Sequence, residues 1–200
     1  MTATQMRQRK LLREYKYPDE SEAQAKIHYY KEARQDIARF HLKGKDKAWL
    51  RGRADQLEIE GEDGPKMRKV RLRNNARALR EYAHHFGDKQ YEVLDGLRLR
   101  LRFNDVQVNV VPDLHVRENG HEKIIKLEFA VNEPTSDLVR IVSQCLFEAA
   151  YADGHRLPSA SVLFVDVPRG HRHKGARLGS RMGGNIQAAC QNISAIWDRI

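Results

Sequence analysis

The sequence predicts an α/β fold. It consists of a mixed sheet of three antiparallel strands plus one buried strand, flanked by helices, with a helical, basic N-terminal part. Three observations predict it. Apolar residues recur at three-to-four spacing through much of the first 86 positions. Strict alternation replaces that period at 97–103 and resumes at 106–110. A wholly apolar run, Val162-Leu163-Phe164-Val165, then follows a further helical stripe, as a strand covered on both faces would.

Taken in order, residues 1–20 read as a basic arm ending in Tyr17-Pro18-Asp19. Ser21 predicts an N-cap with Glu22 in the first turn. Ile27, Tyr30, Ala33 (or Arg34), Ile37 and Phe40 then form one apolar stripe, which Gly44 ends. Asp46 predicts the cap of a short helix through Ala48, Trp49 and Leu50. Residues 57–65 are acidic and rich in glycine, so an exposed loop is expected. A second long helix is predicted over 66–86, with Leu72, Ala76, Leu79, Tyr82 and Phe86 inward and Lys66, Arg68, Lys69, Arg71, Arg73, Arg77 and Arg80 outward. Strands follow at 97–103 and from 106, with a turn at Asn104-Asp105 and extended chain through Val116. Glu118-Asn119-Gly120 marks a hairpin turn. Residues 123–130 read as a strand with Ile125, Leu127 and Phe129 on one face and Lys126 and Glu128 on the other. Thr135 or Ser136 caps a helix over 137–152, with Leu138, Ile141, Val142, Cys145, Leu146 and Ala149 as its apolar positions. Residues 160–167 form the buried strand, 168–181 a basic loop, and about 184–199 a closing helix. The expected division is an N-terminal arm or subdomain at 1–65 and a core domain at 66–200.

Composition narrows the function. Hydrophobic residues make up 40% of the 200 positions, enough for a core and too many for wholesale disorder. No apolar run reaches membrane-spanning length, and the polar, basic start does not read as a secretory signal. Two cysteines, Cys145 and Cys190, cannot build a disulfide framework or a four-cysteine zinc site, so a reducing cytoplasm is expected. No Gly-x-Ser-x-Gly elbow and no phosphate-binding Gly-x-x-x-x-Gly-Lys motif is present. The 36 lysines and arginines exceed the 27 acids by 9, and residues 1–100 hold +8 of that excess. A basic half joined to a near-neutral half points to a polyanion as partner.

The chemistry concentrates on two strands. Pro112-Asp113 opens one of them, and Lys126-Leu127-Glu128 lies on the next. This order, with a helix before the strands and a helix and buried strand after them, resembles the core of the PD-(D/E)XK nuclease superfamily over roughly residues 70–200. That signature has an acid after proline on the second strand and acid-x-lysine on the third, whereas this chain carries lysine and acid in exchanged order. The resemblance implies a restriction-endonuclease-like fold. It also implies Asp113, Lys126 and Glu128 as catalytic residues, with Asp113 and Glu128 holding Mg²⁺ or Mn²⁺. The metal would lower the pKa of an attacking water, and Lys126 would orient that water or stabilise the developing charge. The expected activity is metal-dependent phosphodiester hydrolysis on DNA or RNA, with DNA ahead of RNA. The alternative is the same fold, catalytically inactive, as a nucleic-acid-binding or complex-assembly module, with a homodimer or larger complex allowed.

Read alone, Pro112-Asp113 is first a strand opening with a turn-forming aspartate, and Lys126 and Glu128 are first the solvated outer face of an amphipathic strand. Glu32, Glu92, Gln144 and Glu148 are candidates for further polar groups in the same cleft. Arg169, Arg172, Lys174, Arg177 and Arg181 of the basic loop, with Arg71 and Arg73 of the second long helix, are the expected phosphate contacts.

Overall fold

The computed structural model describes residues 29–103, 106–176 and 180–199, together with Met6, Arg9, Lys10, Leu12, Arg13, Lys16 and Tyr17. The chain divides into two compact units. One holds Tyr30–Leu101 and Asn109–Arg177; the described parts of Met1–Tyr29, Arg102–Val108 and Leu178–Ile200 form the other.

The first unit opens with three helices, α1 (Lys31–Leu42), α2 (Lys47–Glu62) and α3 (Lys66–Phe86). The predicted start of α1 at Ser21 lies outside the described residues. Ala33, Ile37 and Phe40 of its stripe are buried as expected, and Gly44 takes φ +55° beyond its end. Asp46 caps α2 by accepting a hydrogen bond from the Trp49 N–H at 2.9 Å. The expected loop at 57–65 is instead largely the second half of α2. Leu50, Ala54, Leu57 and Gly61 keep the helical period and are buried, so packing overrides the acidic, glycine-containing composition. α3 has the predicted bounds and buries Leu72, Ala76, Leu79, Tyr82 and Phe86.

A five-stranded sheet runs in the order β1-β4-β5-β6-β7, where β1 is Glu92–Val93, β4 Leu114–Glu118, β5 His121–Glu128, β6 Val162–Asp166 and β7 His171–Lys174. β1, β4 and β5 are antiparallel neighbours. After α4 (Ser136–Ala152), β6 returns parallel to β5, and β7 is antiparallel to β6. The architecture is therefore α/β with a mixed sheet. Two details depart from the sequence reading. The strand at 97–103 does not join this sheet: β2 (Leu99–Phe103) and β3 (Val106–Val110) make a separate two-stranded one, and the predicted turn at 104–105 lies outside the described residues. Pro112 helps explain the break, because it has no N–H to donate and pairing resumes only at Leu114. The expected basic loop also contains a strand, β7, whose ladder on β6 is extended by Gly175 N–H to Val162 O at 2.8 Å.

Successive β5 residues face opposite sides. Ile125, Leu127 and Phe129 join Leu114, Val116, Leu163 and Val165 in one core with α1, α2 and α3. Residues 30–65 thus share a core with the strands, and the division at residue 65 does not coincide with a boundary between compact units. Ile124, Val162 and Phe164 alternate to the other face, where α4 packs on β6. Thr135 caps α4, as expected. The buried side of α4 is rotated from the predicted one: Val139, Ser143, Leu146, Ala149 and Ala150 point inward, and Leu138 and Ile141 are exposed.

In the second unit, α5 (Ser180–Trp197) is the closing helix, and Arg9 and Lys16 donate to the carbonyls of Arg199 and Trp197 at its end. Those cations complement the negative end of the helix dipole. Among the described residues no helix is long and apolar enough to cross a membrane.

Candidate functional site

Two polar clusters lie towards opposite ends of β5, with Glu122 of one and Lys126 of the other about 13 Å apart along a strand that rises about 3.3 Å per residue.

The first lies where β5 and β6 end and the chain enters β4. In α/β sheets the carboxyl ends of parallel strands are common ligand sites. Asp113 N–H donates to Ile125 O at 2.9 Å, which aligns this residue with the end of β5. Its carboxylate is only 6% exposed. Oδ2 accepts from the Leu127 N–H at 2.8 Å and meets Lys126 Nζ at 3.1 Å. Oδ1 lies 2.9 Å from Arg34 Nε, off the N–H axis, so this contact is an ion pair rather than an aligned hydrogen bond. The Arg34 guanidinium also stacks 5.5 Å from the Phe129 ring centroid. Lys126 makes a further bond to Val111 O at 3.2 Å.

Glu128 takes another role. Its Oε1 accepts from the N–H groups of Phe129 and Ala130, both at 2.8 Å. Across the ladder its partner is Asp166, a buried acid that sequence reasoning missed. Arg169 compensates Asp166 through both carboxylate oxygens at 3.0–3.1 Å and also bonds Val131 O. The structure thus brings Asp113 and Lys126 into contact. It leaves Glu128 bound to backbone amides, and Asp113 and Glu128 share no three-group metal cluster among the described residues.

The expected phosphate contacts fare unevenly. Arg169 is committed to Asp166. Arg172 donates to Glu118 at 2.7 Å, and Arg71 grips both oxygens of Glu32 at 2.5–2.6 Å. Burial raises the Glu118 carboxyl, but the Arg172 hydrogen bond and charge outweigh it and hold the group below the usual carboxylate range. Arg73 and Lys174 are exposed, although Arg73 lines a shallow groove with Glu58, Glu62 and Lys69. Arg80 pairs with Asp55 and Glu58, so the basic side of α3 is partly neutralised by acids of α2. Arg177 and the side chain of Arg181 lie outside the described residues. The sequence reading found the strand at 97–103 but did not name its arginines as phosphate contacts: Leu99 and Leu101 are buried, while Arg98, just before β2, and Arg100 and Arg102 on it are exposed. The alternation itself carried that signal. Among the described residues these three side chains have no hydrogen-bond or ion-pair partner.

The second cluster is His115, Glu122 and His155, whose ligand atoms all lie within 4.8 Å of one another; this group could hold a metal ion. The hairpin turn at Asn119 (φ +51°) and Gly120 (φ +80°) sets the register Glu118↔His121, which puts His115 and Glu122 diagonally on one face. His155 follows Gly154 (φ +98°) at the end of α4. Both imidazoles reach the same Glu122 oxygen, His115 Nε2 at 2.9 Å and His155 Nδ1 at 2.9 Å. Burial pushes the Glu122 carboxyl up, but these two hydrogen bonds pull harder and hold it low. Glu122 also lines an open cleft of about 410 Å³ with Lys123, Arg156 and Ser161.

No protein family, curated protein or solved structure compared with the chain matches it. Function is therefore read from what these clusters can do. Cysteine chemistry does not enter it: burial pushes the Cys190 thiol up, away from the reactive thiolate.

Proposed function

We propose that the chain is a nucleic-acid-binding module on a PD-(D/E)XK-like core, silent as a hydrolase, acting in the cytoplasm with DNA ahead of RNA. The observation that carries the silent reading is the closure of Asp113. Its carboxylate is buried, bonded to the Leu127 amide and held between Arg34 and Lys126. A metal ligand needs lone pairs open to the ion, and Glu128 likewise spends one oxygen on two backbone N–H groups. The element order from α3 through β6 supports the core assignment, and the unpaired arginines of β2 support the polyanion.

Hydrolysis is the second reading, and one observation favours it. Asp113 and Lys126 converge at 3.1 Å, the acid and ammonium that the resembled signature requires. In that case Mg²⁺ or Mn²⁺ at Asp113 and Glu128 must displace Lys126 and Arg34.

The test incubates purified protein with DNA or RNA and either cation, while binding is titrated against salt. The expected result is salt-steep binding without cleavage. Cleavage that disappears in Asp113→Ala transfers the site to the hydrolase reading. Absence of any salt-sensitive oligonucleotide affinity ends both readings. Removing this carboxylate leaves two cations without their partner at a cost of about 1–3 kcal/mol, so the variant is assayed below its lowered melting temperature.

A further inference from the structure

We propose that His115, Glu122 and His155 form a binding site for a divalent transition cation of the Zn²⁺ type. The proposal is independent of the nucleic-acid reading. Proton accounting points to it first. His115 Nδ1 lies 2.7 Å from the backbone carbonyl of Asp95, and a carbonyl oxygen can only accept, so Nδ1 carries a proton. The opposite nitrogen, Nε2, then aims at a carboxylate oxygen 2.9 Å away. Two lone pairs cannot face each other at that distance. A second proton on that line, or a metal cation set to one side of it and bound to both atoms at about 2.0–2.1 Å, resolves the conflict, and a metal lets the imidazole remain neutral. His155 presents Nδ1 to the same oxygen, so one ion satisfies both rings.

The surroundings are those of a ligating set. A metal-bound histidine typically donates its other N–H to a carbonyl or carboxylate, which fixes the ring. His115 does this through Asp95 O. His155 turns Nε2 towards Asp153 Oδ2, 3.8 Å away. His115 is buried, whereas the side chains of Glu122 and His155 are 35% and 22% exposed, so the ligands are anchored on the protein side and open on the other. The exposed sides of Glu122 and His155 leave room for water as a fourth ligand. Two nitrogens and one oxygen suit Zn²⁺, and Mg²⁺ or Ca²⁺, which take oxygen sets, are disfavoured.

Chelator-treated full-length protein is titrated with Zn²⁺ by calorimetry and with Co²⁺ by visible absorption. The expected result is one ion per chain, a Co²⁺ spectrum with nitrogen ligation, and a higher melting temperature with Zn²⁺. Glu122→Gln and His155→Ala should each weaken binding at least tenfold and remove that thermal shift, whereas His171→Ala should do neither. His155 lies partly exposed after a helix end, so its variant tests the site even if His115→Ala fails to fold. Wild-type protein that takes up no Zn²⁺ at micromolar concentration, or uptake unchanged in both variants, overturns the assignment.

Discussion

At the scale of single residues, His41 shows how burial becomes pH dependence. Its imidazole is 7% exposed, packs on Phe40 and Tyr91, and shares a 2.7 Å hydrogen bond with the Tyr82 hydroxyl. Burial lowers its pKa from 6.5 to about 4. Burial also raises Tyr91 to about 12 and lifts Tyr82 well above the usual phenol value, so both phenols stay neutral throughout the acidic range. As pH falls through 6.5 the unfolded chain takes up a proton at residue 41, and the folded chain does so only near 4. The unfolded state holds more protons in that window, so the contribution is fully present above pH 6.5 and is lost progressively towards pH 4. Its size is at most about 3 kcal/mol. Urea midpoints measured from pH 4 to 7 should fall less steeply for His41→Gln than for the wild type; parallel curves would remove His41 as the source.

At the scale of elements, legibility follows the range of the interaction that decides each one. The bounds of α3 and the caps at Asp46 and Thr135 were readable because period and capping are local. The hairpin at Asn119-Gly120 was readable for the same reason, although the sequence reading did not name the His115 and Glu122 pair that its register brings together. His155 was not, because only the return of α4 brings it there. The second half of α2 was misread from composition, since its burial depends on α3, a partner that a local window does not contain. Arg172 looked free because its acid, Glu118, becomes a neighbour only in the folded sheet, whereas Asp166 stands three residues before Arg169 and was a local signal that the sequence reading missed.

Glycines test this packing directly. A methyl at Gly61 would lie 3.5 Å from Leu72 Cβ and Lys69 Cα, an ordinary contact at the α2–α3 seam. Gly61→Ala should therefore stabilise the protein by about 0.5–1 kcal/mol through helix propensity. At Gly175 the methyl would meet Ser159 O at 2.6 Å, a backbone atom of the 3₁₀ turn Ser159–Ser161 that leads into β6. Gly175→Ala should cost about 1–3 kcal/mol. Urea unfolding that gives both changes the same sign would contradict these contacts.

At the scale of the whole molecule, the +9 charge matters for binding only where it is uncommitted. An arginine already held by a partly buried acid must leave that acid unpaired to reach a phosphate, and the exchange cancels much of the gain. This separates the basic groups into two classes. Arg169, Arg172 and Arg71 hold the fold together, while Arg98, just before β2, and Arg100 and Arg102 on it are exposed with no partner to give up among the described residues. Each phosphate neutralised by such a side chain releases counterions, giving a log–log salt slope of about −0.9 per contact on duplex DNA. Replacing all three β2 arginines by alanine should therefore make the slope shallower by up to about 3 while leaving the melting temperature nearly unchanged. Arg172→Ala should do the reverse. It strands Glu118 and lowers stability by about 1–3 kcal/mol, with the slope little altered. Salt titrations on a duplex of fixed length, run beside thermal melts, read both axes at once. An unchanged slope in the triple variant, together with a shallower one in Arg172→Ala, would move the nucleic-acid contact from β2 to the β7 edge.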